Sequence, residues 1–152
     1  PQAGRAHALA PPGPRALAPL AGWLQTRDAD WRSRLGLIDE DAQAQWREAR
    51  AKECAGLRQL LEAEYGPLAA NRALIDAAIQ FVGETRAPLL LLPLEDLPGV
   101  DEQPHLPGTP EGHPNWRPRF ALPPEPLLDA DDAFRRLPLL ANARNNARER
   151  AR

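Results

Sequence analysis

The sequence predicts an α/β chain that is mostly α-helical, with one buried parallel strand at about residues 88–92. Two long stretches in which apolar residues recur three and four apart predict the helices. The strand is predicted by Pro88-Leu89-Leu90-Leu91-Leu92, a continuous apolar run that Pro93 prevents from extending as a helix. A run apolar on both faces suits a strand covered on both sides in a parallel sheet, and two helices followed by such a strand is the rhythm of an α/β unit.

Along the chain, Pro1 to Ala16 uses mainly Pro, Ala, Gly and Arg with no apolar period. Such a head cannot bury enough surface to offset its ordering entropy and is expected to be disordered. From residue 17 onward the chain reads as folded. Leu20, Trp23, Leu24 and Trp31 supply apolar surface, and Asp28 or Asp30 stands where it can cap a short helix. The longest helical pattern runs from about Asp41 to Glu64. Trp46, Ala49, Leu57, Leu60, Leu61 and Tyr65 fall near one stripe, with acids at the start and Gly66-Pro67 as the stop. Leu74, Ile75, Ala78, Phe81 and Val82 form a second stripe, ended by Gly83.

After the leucine run, residues 97–128 hold half of the chain's 18 prolines. A loop of about 30 residues in a compact domain is usually either functional or disordered. Residues 129–152 return to helix. Asp129, Asp131 and Asp132 at its start and Arg144, Arg148, Arg150 and Arg152 near its finish oppose the helix dipole. Pro138 is expected to kink that helix or divide it in two. With one convincing strand, the backbone groups of Leu89 to Leu92 lack a partner, so that segment is expected to be poorly settled.

A length of 152 residues suits one modest core and therefore one domain. The formal net charge is −2, which sets up no field to draw nucleic acid or an anionic membrane. Every basic residue except Lys52 is Arg, a bias that reads as GC-rich coding. One cysteine, Cys54, excludes an internal disulfide and suits a reducing compartment. No apolar run approaches the ~20 residues of a membrane span. A cytoplasmic location is expected, and a chain that starts at Pro1 and contains no Met reads as a piece of something longer.

The chemistry-bearing residues cluster after the leucine run: Leu92-Pro93-Leu94-Glu95-Asp96-Leu97-Pro98-Gly99, then His105-Leu106-Pro107-Gly108-Thr109, then His113-Pro114-Asn115-Trp116-Arg117. Just past a strand's C-terminal end, Glu95 and Asp96 stand where barrel enzymes keep their sites, or else form the acidic cap of a helical turn. Pro107-Gly108-Thr109 alone is a tight turn. Asn115 and Trp116 offer an amide and a broad apolar face. Those suit a sugar, whose hydroxyls want hydrogen bonds and whose ring wants an aromatic plane; the alternative is that Trp116 plugs the loop onto the core.

The series PLEDLPG, LPGT and HPNWR, in this order and spacing, resembles the C-terminal region of the 4-α-glucanotransferases of the amylomaltase type, also called disproportionating enzymes. Leu20-Ala21-Gly22-Trp23-Leu24 and Arg34-Leu35-Gly36-Leu37 resemble the segment after that family's seventh barrel strand. The likeness runs from about Pro19 to Phe120 and continues loosely into the end helix. It implies that residues 17–152 are the C-terminal portion of a (β/α)8 TIM barrel, with 97–128 as an active-site loop. It further implies a glycosyltransferase that moves a segment of an α-1,4-glucan, such as a maltodextrin, to a new acceptor with retention. Three carboxylates would do this: an aspartate nucleophile, a glutamate acid/base and an aspartate that stabilises the transition state.

The first two of those carboxylates lie upstream of the region covered here. The third belongs to a Thr-His-Asp motif, whose aspartate position falls on Ala16, with Arg15 in place of the histidine. No catalytic residue is therefore expected, and Pro1 to Ala16 is expected to be non-family sequence. The resemblance leaves Glu95, Asp96, His105, Pro107, Gly108, Thr109, Asn115 and Trp116 as substrate-binding residues. His105 itself departs from the family, which usually has Asn there.

Competing readings remain. His105 and His113, eight residues apart across prolines, match no compact metal-ligand spacing, so no metal and no cofactor are expected. Cys54 lacks a catalytic partner and reads as a structural thiol. The Arg-rich end is interrupted by Glu149 and lacks aromatics, which favours a solvated helix end over nucleic acid. Apart from the enzyme fragment, the alternatives are a small helical protein-interaction module, whose Pro-rich loop binds a protein, or a decayed gene product without catalytic role.

Overall fold

The computed structural model describes residues 18–150 together with Leu9–Ala10. The rest of the head, including His7, Arg15 and Ala16, lies outside the described residues. The described chain is mostly helical. In order come β1 (Leu9–Ala10), α1 (Leu20–Leu24), α2 (Arg27–Arg34), α3 (Glu40–Tyr65), α4 (Asn71–Gly83), β2 (Leu89–Leu90), α5 (Pro124–Leu128) and α6 (Asp131–Glu149), with a 3-10 turn at Leu94–Asp96.

Helix α4 is the hub. Its Leu74, Ile75, Ala77 and Ile79 are buried, and it packs on α6, α3 and α1. Two apolar clusters flank it. Ile75 and Ile79 meet Ala21, with Leu20, Leu24, Leu92 and Leu140 around them. Leu74 and Ala77 meet Leu61, with Leu57, Tyr65, Leu68 and Phe81 around them. The positions in each helix that share a face at three- and four-residue spacing are the ones buried here, as the geometry of a helix requires.

Helix α3 begins where Asp39 accepts a hydrogen bond from the Ala42 N–H at 2.8 Å and ends at Gly66, whose φ is +83°. Only its C-terminal half follows the predicted stripe. Leu57, Leu61 and Tyr65 pack inward, whereas Ala49, Trp46 (39% exposed) and Leu60 (51%) face outward. Upstream, charge replaces apolar contact. Arg47 and Arg50 reach Asp30 and Asp28 of α2, and the Arg50 guanidinium also donates to the Trp23 carbonyl at 2.7 Å while lying 4.8 Å over the Trp23 ring. Asp28 and Asp30 thus sit in the first turn of α2 and cap nothing; the N-cap is Thr26, which makes no side-chain cap bond.

The predicted strand at 88–92 is shorter and more open than expected. It is reduced to Leu89–Leu90, and Leu89 and Leu91 are 56% and 54% exposed. Successive strand side chains point to opposite faces. Leu92 reaches the α1–α4 cluster, but among the described residues nothing covers the face of Leu89 and Leu91. Nor is β2 without a neighbour. It pairs in parallel with β1, Leu9 opposite Leu89 and Ala10 opposite Leu90, so part of the head contributes backbone pairing.

Pro138 does not divide the terminal helix, since α6 is continuous across it. Its ring faces the carbonyl of Phe134, one turn earlier, and both residues lie on the exposed side, where water can satisfy the freed oxygen. A separate short helix, α5, precedes α6. Gly22 lets α1 approach the crossing that comes after β2: a Cβ at that position would overlap the main-chain carbonyl oxygen of Asp101.

Leu61 is fully buried at the α3–α4 seam. Leu61→Ala is expected to lower unfolding free energy by about 2–5 kcal/mol, the usual cost of a large-to-small change at such a site. Urea denaturation followed by far-UV dichroism checks this, and a loss below about 1 kcal/mol would mean that the seam closes over the missing atoms.

Candidate functional site

The acidic corner is built by a proline and a glycine. Pro93 begins the 3-10 turn, Gly99 at φ +75° ends it, and the Val100 N–H closes it on the Glu95 carbonyl at 2.9 Å. The two acids then face different surroundings. Asp96 is 5% exposed, and its Oδ1 accepts the Leu20 N–H at 2.7 Å. That N–H opens α1, whose N-cap, Pro19, has no side chain to satisfy it. Asp96 thus caps a distant helix. Glu95 is half-buried, and among the described residues its carboxylate makes no hydrogen bond or ion pair.

Beyond the corner, residues 101–116 cross back over α2. The Arg27 guanidinium donates to Asp101 at 2.9 Å and Trp31 Nε1 donates to Glu102 at 2.9 Å. Asn115 organises the loop at the end of this crossing. Its Oδ1 accepts the Leu106 N–H at 2.8 Å and faces His113 Nδ1 at 2.8 Å; its Nδ2 donates to the Thr109 carbonyl and to Thr109 Oγ1 at 3.1 Å. Thr109 Oγ1 in turn donates to the Leu106 carbonyl at 2.6 Å. Because the amide oxygen must face the Leu106 N–H, His113 carries its proton on Nδ1 and donates it. The Pro107-Gly108-Thr109 turn is therefore tied at its base by one amide.

The predicted residues are thus brought together in two ways. Asp96, Thr109 and Asn115 use their polar atoms inside the protein. His105 and Trp116 form a stacked pair, ring centroids 5.0 Å apart and 13° from parallel, and Trp116 is 62% exposed. Its indole does not plug the core. Trp116 sits at φ +60°, and its N–H donates to the Pro104 carbonyl at 2.7 Å. A side chain in the left-handed region costs of order 1 kcal/mol or more, and the tied loop bears that cost. Gly108 is exposed and Pro107 half-buried. Among the described residues no group of three or more His, Cys, Asp or Glu converges to hold a metal ion, and no helix is long and apolar enough to cross a membrane. Burial pushes the Cys54 thiol above its ordinary pKa, which suits an inert thiol.

One residue of importance escaped the sequence reading. Arg136 is 1% exposed and donates to the main-chain oxygens of Asp96 (3.0 Å) and Leu97 (2.9 Å). Its signal was present: Ala133, Arg136, Leu140, Ala143 and Ala147 recur at helical spacing, and a cation stands in that otherwise apolar stripe.

Burial raises the pKa of Asp96, opposed by the Leu20 N–H, with Glu95 raising it further. The folded state therefore favours the neutral carboxyl. Its contribution to stability is complete below the ordinary Asp value of about 3.9 and is lost as pH rises through the higher folded value. Asp96→Asn keeps an oxygen for the Leu20 N–H and cannot ionise. The stability–pH profile, measured by thermal unfolding, should flatten across that window, with no loss at pH 7. A clear loss at neutral pH would show that the charge itself strengthens the cap by more than burial costs.

Comparison with known proteins identifies the lineage. The family model described as 4-alpha-glucanotransferase matches residues 1–123, a match that takes in the head as well as the acidic corner and the tied loop. The chain is similar to the 4-alpha-glucanotransferases of Mycobacterium bovis and of Mycobacterium tuberculosis, in both cases 31% identical over 133 residues. Those alignments cover 84% of this chain and 18% of each relative, so the chain spans less than a fifth of the length of the curated relatives it matches. On the strength of the family match, the chain belongs to the 4-alpha-glucanotransferase family.

Proposed function

We propose that residues 17–152 are the C-terminal portion of a (β/α)8 glucanotransferase barrel and supply α-1,4-glucan contacts rather than the reacting groups. The observation that carries this reading is the exposed Trp116 indole stacked on His105 above a loop that Asn115 and Thr109 tie together. Sugar rings present C–H faces that pack on aromatic planes, while their hydroxyls seek charged or amide partners. In this reading Trp116 and His105 form the platform, and Glu95, whose carboxylate has no partner among the described residues, accepts from glucose hydroxyls. Pro107, Gly108, Thr109 and Asn115 hold the platform's shape, and Asp96 holds the corner's.

A retaining transfer needs two carboxyl groups about 5 Å apart, one attacking the anomeric carbon and one protonating the leaving oxygen. A sugar hydroxyl, instead of water, then takes the glycosyl group. In the proposed division of labour this chain's residues hold glucose units in register with such a pair, a contribution of positioning. Ala16, at the family's third carboxylate position, cannot serve as an acid, so the chain alone is expected to release no glucose from maltotriose.

Titration with maltoheptaose, followed by tryptophan fluorescence and calorimetry, tests the platform. The parent chain is expected to show a saturable response, and Trp116→Ala is expected to weaken binding at least about tenfold, the scale of one lost aromatic stacking contact plus its desolvation. Equal affinity in the two proteins would remove Trp116 from the site. Glucose and longer maltodextrins appearing from maltotriose would show that the chain does chemistry as well.

A further inference from the structure

We propose that Arg136 is a positioning residue for the acidic corner, fixing from α6 the backbone that presents Glu95; the role in sugar binding rests on the glucan reading above. Two of its contacts are those of an ordinary ion pair. Nε donates to Asp76 of α4 at 2.8 Å, and Nη2 lies 3.5 Å from Asp132, one turn back on its own helix. These satisfy the charge but do not explain the remaining geometry. Nη1 is directed away from both carboxylates, onto the carbonyl oxygens of Asp96 and Leu97 at 3.0 and 2.9 Å. Those oxygens stand where the 3-10 turn ends, and a turn's last carbonyls have no partner within it.

The approach is close enough to restrict the chain opposite. At Gly99 a Cβ would lie 3.1 Å from Nη1, and the residue's φ of +75° already favours glycine. Two turns further along α6, Arg144 repeats the pattern on the other side of β2. Its guanidinium donates to the Thr85 carbonyl at 2.9 Å and to the Ala87 carbonyl at 2.7 Å. One helix therefore holds the chain before and after the strand by its main-chain oxygens, with no demand on side chains there. The planar fork of Arg makes this possible. An ammonium at position 136 would keep a charge beside Asp76 and Asp132, but it cannot direct parallel N–H groups to carboxylate and carbonyls together.

This helix lies beyond residue 123, where the family match ends. Glucan binding at the corner would thus depend on a side chain outside that matched region, one that touches no sugar itself.

The test compares the parent chain with Arg136→Lys, which keeps the charge, and Arg135→Lys. Arg135 shares Asp76 and Asp132 but does not touch the corner. Two readouts are taken: maltoheptaose affinity, and hydrogen exchange of the Leu97 and Val100 amides, which bond to Leu94 and Glu95. R136K should weaken affinity and speed exchange at these two amides by roughly tenfold each, the scale of one charge-assisted hydrogen bond. R135K should leave both within about twofold of the parent. Exchange at the α4 amides, unchanged in R136K, separates a loosened corner from a loosened fold. Parent-like exchange at Leu97 and Val100 in R136K overturns the proposal, as does parent-like affinity. Should R136K fail to fold, Asp76→Asn, which removes the countercharge that Nε of Arg136 shares with Arg135, is expected to show the same pattern at about threefold, and its absence overturns the proposal too. If the parent shows no maltoheptaose response, the glucan reading fails, and the exchange comparison alone decides whether Arg136 holds the corner.

Discussion

A positive charge that water cannot reach, on Arg136, sets the terms for everything around it. A buried guanidinium is costly unless ion pairs and hydrogen bonds replace its hydration. Here Asp76 and Asp132 supply the countercharge and the ends of the 94–97 turn supply the remaining acceptors. Those demands come from three places at once: α4, α6 and the acidic corner. None can shift without leaving part of the charge unmet. Asp96 extends the chain of dependence. Its carbonyl answers Arg136 while its carboxyl answers the first N–H of α1, so the corner links the two ends of the described fold.

The crossing from 101 to 116 is organised by a different means. It has no ladder and no helix, yet its backbone groups still need partners. One amide, Asn115, provides several of them, and the ion pair of Arg27 with Asp101 and the indole bond of Trp31 to Glu102 fix the crossing to α2. With Asn115 and Thr109 engaged internally, the loop leaves the Trp116 ring exposed, stacked on His105. His113 fits the same logic. It stands edge-on to Trp31 at 4.7 Å while bonding to Asn115, which makes it part of the brace.

Spacing alone located α3 to within a residue and the inner face and end of α4, because three- and four-residue recurrence reports directly which face of a helix turns inward. It misplaced Trp46 and Ala49, since the upstream half of α3 meets α2 through arginines rather than apolar side chains, and it misplaced Leu60, which lies off the face shared by Leu57, Leu61 and Tyr65. The leucine run was legible as a strand but not in its exposure, which depends on what stands opposite. The pairing of Leu89 with Leu9 spans about half of the chain and leaves no periodic trace. Asp28, Asp30 and Asp96 were legible as acids near helix starts; which groups they answer was not, because partners distant in sequence carry no spacing signal. The family motifs pointed to the corner and the loop as the places of interest. The division of those residues into bracing and presenting groups needed coordinates.

Gly22 matters to the crossing without a side chain. The obstacle that a Cβ would meet there is main chain, the carbonyl oxygen of Asp101, and main chain cannot rotate aside as a side chain would. A single methyl in place of a hydrogen would act as a wedge between α1 and the crossing. Since Asp101 and Glu102 anchor the stretch leading to His105 and Trp116, the spread would travel along it and tilt the aromatic pair. Position 22 thus favours the one amino acid that carries no Cβ, and a hydrogen there decides how closely α1 and the crossing can meet.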